Sequence, residues 1–160
     1  MNKKILPIGY DNFKEVIDNN AYYVDKTNVI EELLKNRAKV TLLPRPRRFG
    51  KSLLLSTLYY FFDIENKDNN KYLFEGLNIS KSEYMKYQGE FPVIRIDFKM
   101  LKEDNYISIY NSYKELISKL YDNKRYLLNS LEEDKKEKFL RFLTKNASEE
   151  EYKNTLYILS

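Results

Sequence analysis

Apolar residues recur at intervals of three and four along most of this chain, but two segments carry short, nearly continuous apolar runs. The pattern predicts helices at 13–19, 29–34, 51–62, 105–121, 131–143 and 148–159. The runs at 40–44 and 91–98 predict two short strands, because they are rich in β-branched and other apolar residues. The polar segment 63–70 predicts a loop.

Polar residues mark two further helix starts. Asn28 followed by Glu31, and Ser80 followed by Glu83, resemble the paired side chains that cap helix N-termini. The second pair predicts a short helix at 80–88.

The order of these elements predicts the fold class. A strand, a helix, a second strand and a further helix in succession favour parallel strands joined by right-handed crossovers. The helix at 51–62 is apolar on nearly every face, which is typical of a helix buried between a sheet and its neighbours. The sequence therefore predicts an α/β domain in which a parallel sheet is flanked by helices.

The segment VTLLPRPRRFGKS at 40–52 lies between the first predicted strand and the buried helix. Strand, loop, Gly-Lys-Ser and helix is the arrangement of a phosphate-binding loop, or Walker A motif, in a P-loop NTPase. Backbone N–H groups of such a loop hold phosphate oxygens, the lysine reaches the terminal phosphates, and the serine hydroxyl binds Mg²⁺. The predicted site for ATP and Mg²⁺ comprises Arg47, Arg48, Phe49, Gly50, Lys51, Ser52 and Leu53, with Ser52 as the metal ligand.

The motif departs from its usual form at one position. The pattern G-x-x-x-x-G-K-[ST] requires a first glycine where this chain has Arg45, followed by Pro46. Without that glycine, the segment is also compatible with an ordinary turn in which Gly50 and Ser52 cap the neighbouring helix.

Basic residues are concentrated in this loop. Arg45, Arg47, Arg48 and Lys51 lie close together in a chain whose formal net charge is +4. Arg47 and Arg48 could make bidentate contacts to phosphate, or they could form salt bridges to surface carboxylates. The same cluster allows an alternative function, a non-enzymatic nucleic-acid-binding module that uses the Arg45–Lys51 basic patch and stacks bases on tyrosines.

Composition excludes several classes of site. The chain has 160 residues, enough for one domain or part of a larger one, and it contains no cysteine and no histidine. Disulfides, thiolate metal sites and Ser-His-Asp or Cys-His catalysis within this chain are therefore excluded, so any metal should be a hard cation held by oxygens. No apolar run approaches the roughly 18 residues of a membrane span, and no signal peptide is evident, which indicates a cytoplasmic protein.

A nucleotide hydrolase also needs one carboxylate at the end of a neighbouring strand to hold Mg²⁺ and another to activate water. No segment of this chain has four apolar residues followed by Asp-Asp or Asp-Glu. The nearest candidate is Asp97, whose alternative role is to end a strand and bond a nearby backbone. We therefore assign no catalytic residue and expect no measurable ATP turnover by this chain.

Several segments, in order, resemble one family. PRPRRFGKS at 44–52 is similar to the phosphate loop of bacterial AAA-ATPase-like proteins, which often carry a C-terminal restriction-endonuclease-like domain and typically have arginine at the first glycine position. Further resemblances are YYVDKT at 22–27, LYYFFD at 58–63, LFEGL at 73–77 and FPVIRIDFK at 91–99. The resemblance covers residues 5–100 well and the remainder by pattern only.

The resemblance implies that residues 1–160 are the N-terminal part of one AAA-ATPase-like P-loop domain that binds ATP with Mg²⁺. In the family a strand ending in a pattern like IDEYD follows, and YKNTLYILS at 152–160 resembles the segment before it. The resemblance therefore implies a fragment, with an incomplete sheet, that ends before its acidic motif. It also implies that Asp25 and Lys26 lie near the base or ribose. The alternative is that Asp25 caps a helix and that Lys26 is an exposed cation.

Three functions remain open on sequence alone: an ATP-binding ATPase-like domain, the nucleic-acid-binding module, and a degenerate remnant that folds poorly and binds nothing. Nucleic-acid affinity should fall steeply with salt, whereas ATP binding should depend on Mg²⁺ and on Lys51. A remnant with unpaired strand edges should aggregate.

Overall fold

The computed structural model describes residues 4–155 and consists of helices joined by turns and irregular segments. The α-helices are α1 (Phe13–Asp18), α2 (Asn28–Asn36), α3 (Lys51–Phe62), α4 (Lys67–Asn70), α5 (Tyr106–Asn123), α6 (Glu133–Leu143) and α7 (Glu149–Lys153). Short 3-10 helices span Ile64–Asn66, Lys71–Phe74, Asn78–Lys81, Glu83–Tyr87, Phe98–Leu101 and Arg125–Ser130. The chain divides into two compact units, with the boundary between Val93 and Ile94.

The predicted α/β fold, a P-loop NTPase-like parallel sheet flanked by helices, is wrong for the residues that the structure describes. No β-strand forms between residues 4 and 155, and strand-like pairing there is limited to two isolated parallel bridges, Ile5 with Ala21 and Asp63 with Phe91. Strands are stabilised by the backbone ladder of a neighbour, which local β-propensity does not supply.

Both predicted strands illustrate this failure. Residues 40–44 are irregular, and Val40 and Leu42 are 85% and 83% exposed. In the segment 91–98, Phe91 makes a single bridge and the following residues are irregular until the 3-10 helix that begins at Phe98. Apolar runs in this chain therefore stay exposed where no described strand pairs with them.

The helices predicted from the apolar pattern are confirmed for α1, α2, α3, α5 and α6. The loop predicted at 63–70 is wrong, since a 3-10 turn and the short helix α4 occupy most of it. The last predicted helix, 148–159, is confirmed over α7, and its residues 156–160 lie outside the described part of the chain.

Both predicted caps are wrong. Asn28 is the first residue of α2, and the Glu31 carboxylate accepts hydrogen bonds from Lys35 Nζ (2.5 Å) and Ser82 Oγ (2.9 Å) instead of capping. The segment 80–88 contains parts of two 3-10 helices, and Ser82 caps the second by accepting the Tyr84 N–H at 3.3 Å. A short polar side chain can cap a helix only at the residue where the helix begins. The sequence pattern misplaced the N-cap positions of these two helices by one residue and by two residues.

The first unit is built around aromatic side chains. Phe13, Phe61 and Phe74 are fully buried, and the ring of Phe74 lies 5.2 Å from each of the other two, centroid to centroid. Ile30 from α2, Leu73 and Ile79 complete this core. Helix α1 packs against α3, and the buried Ser56 hydroxyl of α3 accepts the Phe13 N–H at 3.0 Å.

A polar latch joins the start of α2 to residues 78–79. The Asp25 carboxylate accepts the Thr27 N–H and hydroxyl at 2.9 and 2.7 Å, and its other oxygen accepts the Asn78 N–H at 2.7 Å. The fully buried Thr27 hydroxyl in turn accepts the Ile79 N–H at 3.1 Å. Because these backbone groups are satisfied by two side chains, the segment 22–27 has a fixed position in the first unit.

The second unit packs α5 against α6. The Tyr121 ring lies 4.7 Å from Phe142 and 4.8 Å from Phe139, centroid to centroid, and all three side chains are buried. Tyr152 of α7 joins this cluster, and burial raises the pKa of its hydroxyl to about 12. Aromatic side chains therefore make up most of the core of this unit too.

Helix α7 begins with a capping box. The Ser148 Oγ accepts the Glu151 N–H at 3.2 Å, and Glu151 Oε2 accepts the Ser148 N–H at 2.8 Å. Arg141 of α6 donates to the other oxygen of Glu151, from Nε at 3.1 Å and also from Nη2. These hydrogen bonds lower the pKa of Glu151 from 4.5 to about 2, with those from Arg141 contributing most.

Replacing Thr27 with valine should destabilise the first unit by about 1–3 kcal/mol, because the buried Ile79 N–H loses its acceptor. Urea unfolding followed by far-UV circular dichroism measures the change. The same substitution at the exposed Thr41 is the matched control and should change stability by less than about 0.5 kcal/mol. Equal effects of the two substitutions would show that the latch contributes nothing.

Replacing Glu151 with glutamine should lower the melting temperature at neutral pH, because Arg141 loses an ionised partner. The folded state holds the pKa of Glu151 at about 2 against 4.5, so its stabilising effect is present above about pH 4.5 and is lost as the pH falls toward 2. The difference in melting temperature between wild type and variant should therefore shrink over that range.

The control for this pH dependence is Glu149→Gln. Glu149 lies in the same helix and pairs with Lys153 at 3.3 Å, but its side chain is 61% exposed, so the pair contributes little. A gap between wild type and Glu151→Gln that does not change between neutral pH and pH 2 would contradict the assignment.

Candidate functional site

Helix α3 begins at Lys51 and presents an uncapped N-terminus. Gly50 is the N-cap residue, in the left-handed conformation (φ 70°, ψ 26°), and its carbonyl accepts the Leu54 N–H at 2.9 Å. No side chain caps the helix, and the N–H groups of Lys51, Ser52 and Leu53 have no acceptor within it. These N–H groups and the helix dipole together favour the binding of an anion at the N-terminus of α3.

Ser52 is the second residue of α3 and is half-buried. It does not occupy the N-cap position, so the capping role that the sequence allowed for its hydroxyl is not seen. Gly50 takes the N-cap position instead. Because a left-handed backbone is strained for residues with a Cβ, glycine is the residue that fits this conformation best.

The lysine of the motif folds back over its own loop. Lys51 Nζ donates to the carbonyl oxygens of Arg45 at 2.5 Å and of Pro46 at 3.2 Å. The loop therefore curves around the ammonium group, which remains exposed to solvent. This arrangement brings a fixed positive charge and the N-terminus of α3 into one short segment.

Backbone strain in this loop lies at Arg48 and not at Arg45. Arg48 has a φ of 67°, a left-handed conformation that is uncommon for a residue with a side chain, whereas Arg45 is not among the residues with positive φ. The sequence places the departure from the usual motif at position 45, but the turn that needs a left-handed backbone comes at 48 and 50.

Arg47 and Arg48 are exposed, and within residues 4–155 no carboxylate lies at ion-pair distance from either guanidinium. The interpretation that they form surface salt bridges is therefore not seen in the described structure. Both side chains can turn toward an anion at the start of α3.

A cleft of about 450 Å³ opens beside this helix start. Its lining comes from three short segments of the first unit: Pro7; Tyr22, Tyr23, Val24 and Lys26; and Arg48, Phe49, Gly50, Leu53 and Leu54. A Cβ atom added to Gly50 would lie 4.0 Å from Lys26 Nζ, so the lysine brings a second ammonium group close to the N-terminus of α3. Of the predicted site residues, the cleft therefore gathers four and adds a wall from residues 22–26.

Asp25 and Lys26 differ in their roles. The Asp25 carboxylate is engaged in the latch and does not line the cleft. It accepts the N–H of Thr27, the N-cap residue of α2, and no side chain caps that helix, so the capping alternative is not seen either. Lys26 is exposed and does line it. Tyr23, between these residues and the core, has its pKa raised by burial, and its hydroxyl lies 3.4 Å from Thr57 Oγ1.

Sequence reasoning missed five lining residues: Pro7, Tyr22, Tyr23, Val24 and Leu54. The pattern of the YYVDKT segment gave a family resemblance but no physical reason for its tyrosines and valine to meet the phosphate loop. That reason is the latch at Asp25 and Thr27, a tertiary contact without a local signal.

The residues that the structure describes form no cluster of carboxylates that could hold a metal ion. Among residues 4–155, no three acidic side chains come close enough together to hold a metal ion. Asp97 belongs to the second unit and accepts the Lys99 N–H at 2.9 Å, at the start of a 3-10 helix. This contact agrees with the part of its alternative role in which Asp97 bonds a nearby backbone, but no strand ends there.

A family described as predicted AAA-ATPase matches residues 7–159 of the chain. Because the match covers nearly the whole sequence, the chain belongs to this predicted AAA-ATPase family. Membership supports nucleotide use in general terms, and nothing in the comparisons supports the alternative of a nucleic-acid-binding module.

A curated relative is an uncharacterized protein in the vnfD 5′ region of Azotobacter chroococcum mcd 1. It is 38% identical over 99 residues, which are 61% of this chain and 18% of the relative. The matched part thus spans about a fifth of the relative's length. No solved structure matches the chain.

The helices of residues 4–155 include none with the length and apolar character needed to cross a membrane.

Proposed function

We propose that the segment Arg47–Leu53 binds the phosphates of ATP. The observation that carries this proposal is the uncapped N-terminus of α3, whose first residue, Lys51, donates from Nζ to the carbonyls of Arg45 and Pro46 in the loop before the helix. Gly50 allows close approach of the phosphate to the backbone, and Lys51 supplies a point charge that an incoming phosphate can share. Arg47 and Arg48 add cationic donors from the exposed face of the loop.

The oxygen atoms of the described residues could bind Mg²⁺ only together with the phosphate oxygens of a bound nucleotide. Mg²⁺ is usually held by one or two protein oxygens, substrate phosphates and waters, and not by an all-protein cage. The described residues contain no acidic cluster for such a cage, so the Ser52 hydroxyl at the start of α3 is the protein ligand we assign. Bound there, Mg²⁺ would neutralise phosphate charge.

We assign no general base to this chain. Two carboxylates that flank the motif in the sequence, Asp25 and Asp63, lie elsewhere: Asp25 in the latch and Asp63 at the buried C-terminal end of α3. The proposal is therefore an ATP-binding, ATPase-like part of a domain, with hydrolysis dependent on carboxylates that residues 4–155 do not bring to the loop. The cytoplasm is the compartment that we propose.

Lys51→Ala should weaken ATP binding more than Arg45→Ala does, by about 2 kcal/mol, because Lys51 contributes a charge-assisted hydrogen bond. Arg45 contributes its backbone carbonyl, which the substitution retains. Isothermal titration of both variants with ATP and Mg²⁺ is the measurement. Equal losses would indicate a diffuse basic patch and would favour nucleic-acid binding.

The 160-residue chain should bind ATP without measurable turnover, because its sequence has no segment of four apolar residues followed by Asp-Asp or Asp-Glu, and residues 4–155 form no acidic cluster. A steady-state phosphate-release assay measures this, with Lys51→Ala as the control for contaminating ATPases. Turnover in the wild type that disappears in Lys51→Ala would refute the prediction and direct attention to Asp97.

A further inference from the structure

The stretch from Leu33 to Phe62 contains no acidic residue, although the whole chain has 24 acidic residues against 28 basic ones. Seven basic residues lie within this stretch, all of them in the first unit: Lys35, Arg37, Lys39, Arg45, Arg47, Arg48 and Lys51. The proposed ATP site uses the last three. The side chains of Arg37, Lys39 and Arg45 therefore have no part in that function.

These three cations have no anionic partner in the described structure. Arg37 and Lys39 are exposed, and Arg45 is half-buried. Within residues 4–155, no carboxylate lies at ion-pair distance from any of the three. The dipole of α2 accounts for a cation at Arg37, the C-cap residue, but this effect falls off within the last helical turn and does not extend to Lys39 or Arg45.

The backbone that carries these cations is irregular and open to solvent. Residues 37–50, between α2 and α3, form no helix or strand. Val40 and Leu42, which lie between Lys39 and Arg45, are 85% and 83% exposed. A partner that covers this segment therefore meets positive charge at both ends and aliphatic surface between them.

We propose that residues 37–45 bind the phosphate backbone of a single-stranded nucleic acid, beside the ATP site and independently of it. Every charge that such a backbone presents is negative, which matches a segment without any acidic residue, and a single strand is flexible enough to follow an irregular surface. Arginine suits this partner, because its planar guanidinium can donate two parallel hydrogen bonds to one phosphate.

This surface differs from the alternative function that the sequence allows, which uses the Arg45–Lys51 patch in place of ATP binding. Here the phosphate loop stays free for ATP, and the contacts lie in the segment before it. Binding through phosphates carries no sequence information, so the surface should accept strands of any sequence.

The test is the fluorescence anisotropy of a labelled oligothymidylate, titrated with the whole chain over a range of salt concentrations. The test variant is Arg37→Gln/Lys39→Gln. The matched control is Lys135→Gln/Lys138→Gln, which removes two exposed lysines of α6 in the second unit and lowers the net charge by the same amount. Arg45 is left intact, because its carbonyl accepts a hydrogen bond from Lys51. Circular dichroism checks that each variant is folded.

The test variant should bind the oligonucleotide about tenfold more weakly than the wild type, and the control should match the wild type. The slope of log K against log salt should become shallower by about 1.4, since each lost phosphate contact with a single strand contributes about 0.7. Isothermal titration with ATP and Mg²⁺ should give the same result for the test variant as for the wild type, because neither substitution touches the phosphate loop.

Four results would overturn the proposal. The wild type does not bind the oligonucleotide, or both double variants lose the same affinity, which would show an effect of net charge alone. Saturating ATP with Mg²⁺ displaces the oligonucleotide, which would place it on the phosphate loop. Polyglutamate or anionic lipid vesicles compete as well as unlabelled oligothymidylate at equal charge, which would assign the surface to an acidic protein or to a membrane.

Discussion

Helix α3 is the element on which the first unit depends, because four of its side chains are buried and it is hydrogen-bonded to other segments at its middle and at its C-terminal end. Ser56 accepts the Phe13 N–H in the middle of the helix, and Phe61 enters the aromatic core. At the C-terminal end, the carbonyls of Phe61 and Phe62 accept the N–H groups of Gly89 and Phe91 at 2.8 and 3.0 Å. A helix held in this way has a fixed N-terminus, so Gly50 and the residues after it are presented to ligands by a rigid element.

The second constraint is the latch at Asp25 and Thr27, which ties the wall of the cleft to the same core. Ile79 bonds the Thr27 hydroxyl and is itself part of the core that contains Phe61. The two sides of the cleft are thus set by one hydrophobic core, although they come from separate parts of the chain. This arrangement explains how a lysine from the YYVDKT segment comes close to Gly50.

Periodicity was sufficient to predict the longer helices, because an amphipathic or fully apolar helix carries its own signal in the spacing of side chains. The same approach failed for residues 40–44 and 91–98. Val40 and Leu42 have strong apolar character, but a strand is completed only by the backbone of a neighbour, and the described residues supply none. Gly50, Lys51 and Ser52 could be found from local order, whereas the contribution of Tyr22 depends on tertiary bonds that no local pattern encodes.

The central claim is that the start of α3 is a nucleotide phosphate site. Its most direct test is titration of ¹⁵N-labelled protein with ATP and Mg²⁺, with the backbone amide resonances followed by NMR. The largest shifts should occur at Gly50, Lys51 and Ser52, whose N–H groups would face the phosphates, with smaller shifts at Tyr22 and Lys26. Shifts centred on the second unit, or no shifts at ATP concentrations far above those of cells, would contradict it.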